Sequence, residues 1–285
     1  MDVGIGLPTT IPGVQREQVL EYARRAEARG FASLGTIDRL VYGNYEPLIA
    51  LAAAAAVTER IRLTTSVLVA PLRGNGAVLA KQAATLDHFS GGRLVLGVAV
   101  GGRSDDAEAA GTDFQRRGRD FQAMLEEMRR VWDGEPFGFA GEIGPRSRPS
   151  LIVGGGADVA FERAALFADG WIYGGGPVEG FVAGRDKLQE AWLAAGREGS
   201  PRVMSLAYFA LGVGAQDASD AYLNAYYAFL GPEIAGMIAG SSAIGEEAVN
   251  ARVQGFAEAG CDELILFSGN PDPGQVELLA DSLSM

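Results

Sequence analysis

Gly154-Gly155-Gly156-Ala157 stands between a short apolar run and an amphipathic stretch. Without side chains, backbone N–H groups can approach an anion closely, and the start of a helix adds favourable partial charge. The spacing suits a phosphate cradle built from main chain, and equally a tight turn that needs positive φ. No Gly-Lys-Ser/Thr follows, so it is not a P-loop. Asp38-Arg39 closes another apolar run and could work as an acid–base pair or stand as a structural ion pair. Ser66 places a hydroxyl in the run 61–70. The usual role of such a group is a bond to neighbouring backbone. Asp105-Asp106 reads as the start or cap of a short helix. Adjacent carboxylates point in different directions on a helix, so they do not form a catalytic dyad.

The absences are as informative. His88 is the only histidine, late in a helical stretch and away from the strand ends, and Cys261 is the only cysteine. A zinc site made of His and Cys cannot be assembled, a Ser-His-Asp triad has no partner histidine in place, and no metal site is expected. No internal disulfide can form, which fits a reducing compartment. The chain therefore lacks the usual proton shuttle. A phosphate cradle, apolar surroundings and few acid–base groups together point to chemistry carried by a cofactor.

The elements that must hold these groups alternate along the chain. Apolar runs near residues 3, 33, 61, 94, 151, 170, 203 and 263 read as strands. Helical periodicity fills the intervals 15–29, 46–59, 77–89, 115–132, 157–168, 178–195, 218–230, 246–259 and 273–283. Residues 133–150 are rich in Gly and Pro and read as an irregular connection. Strand–helix alternation over this length predicts an α/β fold, an eight-stranded parallel (β/α)8 TIM barrel spanning 1–285 as a single domain. In such a barrel ligands collect where the strands end, which places Asp38, Arg39, Ser66, Val100 and Gly154 on one rim.

Composition narrows the partners. A net charge of -12 argues against nucleic acid and against an anionic membrane surface. The first residues, MDVGIGLPTTIPG, carry neither a basic segment nor a long apolar core. No secretory signal and no membrane span are expected, and a cytoplasmic location is the default.

Four stretches taken in order resemble the luciferase-like flavin oxidoreductases: AEARGFASLGTIDR, then RIRLTTSVLVAPLRGNGAVLAKQAATLDHFSGGRLVLGVAVGG, then GTDFQRRGRDFQAMLEEMRRVW, then LIVGGGADVAFERAALFADGW. The resemblance covers most of the chain. It implies a barrel that binds reduced FMN, or alternatively the deazaflavin coenzyme F-420, at the strand ends. It places a non-proline cis peptide at Ser66-Val67 against the ring, with Leu68 beside it. It assigns Gly155, Gly156 and Ala157 to the phosphate, next to Gly154, and lets Val100 and Gly101 line the cofactor. Asp38 and Arg39 fall on the catalytic positions. Many members carry Asp-His there, and an arginine cannot deprotonate at working pH, so Arg39 suits holding an anionic ring or an oxyanion. Gly102 replaces a larger residue common in relatives and leaves space for substrate.

The function implied is a monooxygenase that uses reduced FMN and molecular oxygen on a small organic substrate, with a flavin reductase as supplier of the reduced cofactor. The alternatives are hydride transfer from the deazaflavin and a flavin binder that has lost turnover. Tyr208, Phe209, Tyr226, Tyr227 and Phe229 supply aromatic surface where relatives shape the substrate pocket, and at least half of them are expected in the core. Members of this family commonly pair, so a homodimer is expected, with the apolar stretch 50–57 suited to the contact.

Overall fold

The structure, a computed structural model, describes residues 1–139 and 141–285. Its strands are β1 (Asp2–Gly6), β2 (Ser33–Thr36), β3 (Arg62–Thr65), β4 (Leu68–Val69), β5 (Leu94–Ala99), β6 (Ser150–Gly154), β7 (Gly170–Tyr173), β8 (Arg202–Ala210), β9 (Ala243–Ile244) and β10 (Glu263–Ser268). The hydrogen-bonded order runs β10-β1-β2-β3-β5-β6-β7-β8, and β8 pairs with β10 to close the ring. Every pairing is parallel. This is the eight-stranded (β/α)8 barrel expected from the alternation. β4 continues β3 after Ser66-Val67, and β9 extends the wall beside the C-terminal half of β8.

The helices are α1 (Arg16–Ala28), α2 (Pro47–Ala55), α3 (Gly76–Phe89), α4 (Ser104–Ala109), α5 (Arg117–Trp132), α6 (Asp158–Phe167), α7 (Val178–Ala194), α8 (Ala215–Tyr227), α9 (Pro232–Gly240), α10 (Glu246–Glu258) and α11 (Gly274–Ser282). Local chemistry sets their starts. The Glu46 side chain accepts from Ile49 N at 2.8 Å ahead of Pro47, and Asn75 accepts from Val78 N at 2.8 Å. Two elements were not anticipated, α9 and β9. α8 begins at Ala215 and ends at Tyr227, and a short 3-10 turn covers Ala228–Leu230. The connection 133–150 is irregular, as expected, with one antiparallel bridge between Phe137 and Gly141; Ala140 lies outside the described residues.

Strand side chains alternate between two cores. Leu34, Leu63, Leu96 and Val153 point outward against the helices, while Val95, Ile152, Met204 and Phe267 fill the barrel. Gly6 and Gly35 make room for Phe267, because a Cβ at either would run into its ring. That ring fills the barrel interior between β1, β2 and β10. Among the described residues, no helix is long and apolar enough to cross a membrane.

Candidate functional site

A cavity of ≈ 230 Å³ opens at the C-terminal ends of the strands. Its floor and near wall are Ile37, Ser66, Val67, Val69, Val100, Leu206 and Tyr208, all from strands or the residues just beyond them. Its outer wall comes from two later pieces of chain. One, after β5, supplies Gly101, Gly102, Arg103, Asp106, Phe114 and Arg117; the other, α8 and the turn behind it, supplies Tyr226, Tyr227 and Phe229. The lining is mostly apolar, with hydroxyls and guanidinium groups at the edge.

The backbone at Ser66-Val67 is a non-proline cis peptide. Room for it comes from the neighbouring strands. A Cβ at Gly97 would strike the Thr65 carbonyl oxygen, and one at Gly154 would come within 2.9 Å of Val67 Cγ1. Ser66 is buried, and among the described residues its Oγ has no hydrogen-bond partner. Leu68 turns away from the cavity into the outer core.

Asp38 and Arg39 both border the cavity but do not pair with each other. Asp38 accepts from Val69 N at 2.9 Å and from Arg73 Nη2 at 3.0 Å, while Arg73 also reaches Glu46 at 3.0 Å. Burial pushes the Asp38 carboxyl above the ordinary range, outweighing the attraction of Arg73 and the bond from Val69. Asp38 thus ties the end of β2 to β4 and the turn behind it. Arg39 donates to the Tyr226 carbonyl and to Val41 O at 3.3 Å. Its guanidinium carbon lies 4.2 Å from the Tyr42 ring centroid, 4.9 Å from Tyr226 and 5.4 Å from Phe229. Burial first, then nearby Arg103, lowers its pKa.

Arg103 and Arg117 were not singled out by the sequence, although Arg103 directly follows the glycine pair at the end of β5. Arg103 pairs with Asp105 and lies 3.4 Å from Asp106, and its guanidinium sits 4.0 Å from the Phe229 ring centroid. Asp106 also accepts from Leu40 N at 3.2 Å and Val41 N at 2.7 Å. Asp105-Asp106 therefore opens a helix, as read, and also joins the loop after β2 to the loop after β5.

The aromatic expectation holds, since Tyr208, Phe209 and Tyr226 are buried in the core. Only Phe209 is core alone; Tyr208, Tyr226, Tyr227 and Phe229 all border the cavity. Tyr208 and Tyr227 share a hydroxyl contact at 2.7 Å. Burial raises the pKa of Tyr208, Tyr226 and Tyr227, so at neutral pH these are uncharged hydroxyls. His88 is exposed on α3. Cys261 is buried behind β10, where burial pushes its thiol up to about 12, far from a reactive thiolate.

The glycine run does not line the cavity. Gly154 is buried beside Val67, whereas Gly155, Gly156 and Ala157 are exposed at the rim, with φ of +135° at Gly155. Trp171 Nε1 donates to Gly155 O at 2.8 Å and fixes the turn. Among the described residues, the N–H groups of Gly156 and Ala157 have no acceptor, and they open α6. Asp158, at the first position of α6, is paired with Lys187 at 2.8 Å. The residues present would fit a phosphorylated planar cofactor in two respects: an apolar wall of Val67, Val69 and Val100 beside the orphaned Ser66 hydroxyl, and free main-chain donors at a helix start.

Fold and site together define a (β/α)8 barrel with a ligand cavity over its strand ends. The profile of the luciferase-like monooxygenase family matches residues 1–281, and the chain belongs to that family of oxidoreductases. It is 36% identical over 173 residues to an uncharacterised protein of Mycobacterium tuberculosis, covering 56% of this chain and 61% of that one. It is 28% identical over 192 residues to the F420-dependent glucose-6-phosphate dehydrogenase of Amycolatopsis mediterranei, covering 61% and 57%. With the FMNH(2)-dependent dimethylsulfone monooxygenase of Pseudomonas fluorescens it shares 26% over 185 residues, 59% and 50% of the two chains. The matched stretches thus span only 50 to 61% of these relatives' own lengths. The crystal structure of monooxygenase RslO1 from Streptomyces bottropensis superposes with a TM-score of 0.80 at 23% identity, over 100% of this chain and 99% of that one, and carries the same fold.

Proposed function

We propose that the chain is a monooxygenase that takes reduced FMN and molecular oxygen to a small organic substrate. The observation that carries this reading is the mouth itself: a mostly apolar cavity with an orphaned hydroxyl at its floor, no histidine among the described residues that line it, and its two carboxylates, Asp38 and Asp106, held by Arg73 and Arg103. When bound, the reduced flavin supplies the electrons that activate oxygen, and a site without a proton shuttle leaves that chemistry to the cofactor. The chain's own part is to bind, orient and exclude water. Val67, Val100 and Gly101 would bed the ring, Ser66 Oγ would hydrogen-bond its edge, and Gly154, Gly155, Gly156 and Ala157 would bring main chain to the phosphate. Asp38 would hold the ring-facing turn in place, and Arg39 would face the reacting end as a permanent cation. Loss of water from the mouth strengthens every such contact.

The second reading is hydride transfer with the deazaflavin coenzyme F-420. Its support is a likeness to an F420-dependent dehydrogenase as strong as the likeness to the FMNH(2)-dependent enzyme. Anaerobic absorbance titration with each reduced cofactor separates the two. Binding of reduced FMN followed by substrate-dependent oxidation when oxygen is admitted supports the first; binding of the deazaflavin alone replaces it with the second. Binding of either without any turnover leaves a flavin-binding protein. A separate flavin reductase would feed the first reaction. A homodimer would cover the apolar outer face of α2 and α3, where Ile49 and Phe89 are 71% and 81% exposed. A cytoplasmic setting suits a lone buried cysteine.

A further inference from the structure

The guanidinium groups at the mouth are unequally satisfied. Arg39 has no carboxylate within 4.0 Å among the described residues, and its Nε is buried without a partner. The Arg103 side chain is only 9% exposed, and its Nε and Nη1 are likewise buried without hydrogen bonds, although Asp105 and Asp106 lie close. Asp38, the next carboxylate along the rim, is committed to Arg73. Beyond Asp105 and Asp106 on Arg103, and the Tyr42 and Tyr226 rings on Arg39, the two cations share the Phe229 ring, 4.0 Å from Arg103 and 5.4 Å from Arg39. A ring face attracts a cation through its quadrupole but offers no directed acceptor. An oxyanion offers two, in the geometry a guanidinium fork prefers. Phe229 sits on the short turn behind α8 and is 43% exposed, so it is a replaceable cover rather than a core anchor.

We propose that Arg39 and Arg103 form an anion-binding pair, and that the substrate of this barrel carries a carboxylate or a similar oxyanion which displaces the Phe229 ring from them. This deepens the reading given above and rests on it for the word substrate. The pair stands on the side of the cavity built by the loops after β2 and β5, while the free main-chain donors of Gly156 and Ala157 lie at the start of α6. Two anions, one on the cofactor and one on the substrate, thus have separate places. Arginine is the suited residue because it stays charged even when half buried.

The test uses benzoate and its neutral analogue benzamide as probes, with calorimetry on the whole chain. Benzoate should bind at least about tenfold more tightly than benzamide, since only the former completes the two forks. Arg39→Met and Arg103→Met should each abolish that preference, and Arg39→Lys should keep part of it, because a point charge remains without the fork. Equal affinities of the unaltered chain for benzoate and benzamide would overturn the pair without recourse to any variant. Full benzoate binding by folded Arg39→Met, Arg103→Met double variant would do the same. Saturating FMN distinguishes the sources of the anion. Benzoate that still binds beside FMN supports a substrate site, whereas strict competition assigns the pair to the cofactor's own phosphate and overturns the substrate claim. Should no flavin bind at all while benzoate still needs both arginines, the anion pair stands and the flavin reading falls.

Discussion

The two ends of this barrel use the same residue types in opposite ways. At the N-terminal end Glu263 is fully buried on β10, where Arg62 reaches it at 3.0 Å and Arg202 and Ser33 bond to it as well. Glu263, Arg62 and Arg202 thus each have a countercharge. At the C-terminal end Arg39 is partly buried among rings, with no carboxylate within 4.0 Å among the described residues. A closed ion cluster fixes strand register; an unclosed one keeps binding capacity in reserve. The strand ends that build ligand sites in such barrels are therefore expected to be the less stabilising end.

The largest effect should come from the closed end. Glu263→Ala leaves two arginines facing each other without their carboxylate, and removal of one partner from a buried cluster costs about 3–5 kcal/mol. Urea unfolding measures this, and flavin binding by the molecules that remain folded should change by less than about twofold. A loss under about 1 kcal/mol would mean that the N-terminal cluster contributes no more than a surface pair, and the contrast between the ends would disappear.

A smaller effect with a different signature is expected at the open end. Gly97→Ala drives a methyl group against the Thr65 carbonyl oxygen, next to Ser66-Val67. Overpacking of this kind costs about 1–3 kcal/mol, and the shift it forces falls on the floor of the cavity. Flavin titration should weaken by about tenfold or more, where Glu263→Ala leaves it intact. Stability loss with unaltered titration would detach the floor from ligand binding.

The fold was legible because its signals are local. Each strand is a short apolar run closed by Gly, Pro or a charge, and each helix shows its period within a dozen residues. α9 and β9 were missed because PEIAGMIAG mixes glycines with apolar residues and shows no clear face, and a two-residue strand has no period at all. The site was legible only in part. Ser66, Val67, Val100, Gly101, Asp38 and Arg39 do meet at one cavity. That Asp38 would pair with Arg73 rather than with its neighbour is a matter of where the chain returns 35 residues later. The role of Arg103 is set by Phe229, which arrives from far down the chain. Side-chain partners across such separations leave no trace in spacing. Glycines at strand ends do, which is why the rim turn at 154–157 stood out, though it does not line the cavity.

The smallest effect concerns the Asp38 carboxylate at the mouth. Asp38 has a single arginine, shared with Glu46, and its carboxyl is raised by burial. The native state then holds its proton more firmly than the unfolded chain, where the value is about 3.9. The stabilisation this gives is complete below that value and is lost as pH rises through the folded one. Asp38→Asn removes the charge and keeps a carbonyl oxygen for Val69 N. The variant is therefore expected to gain on the unaltered protein as pH rises from about 4, by about 1.4 kcal/mol for each unit of displacement. Urea midpoints of both proteins between about pH 4 and 7 give the sign directly. If Arg73 outweighed burial, the carboxyl would be lowered instead, and the variant would lose ground over the same interval. That outcome would make the Asp38 pair a closed cluster like that of Glu263, and would confine the open character of the rim to Arg39.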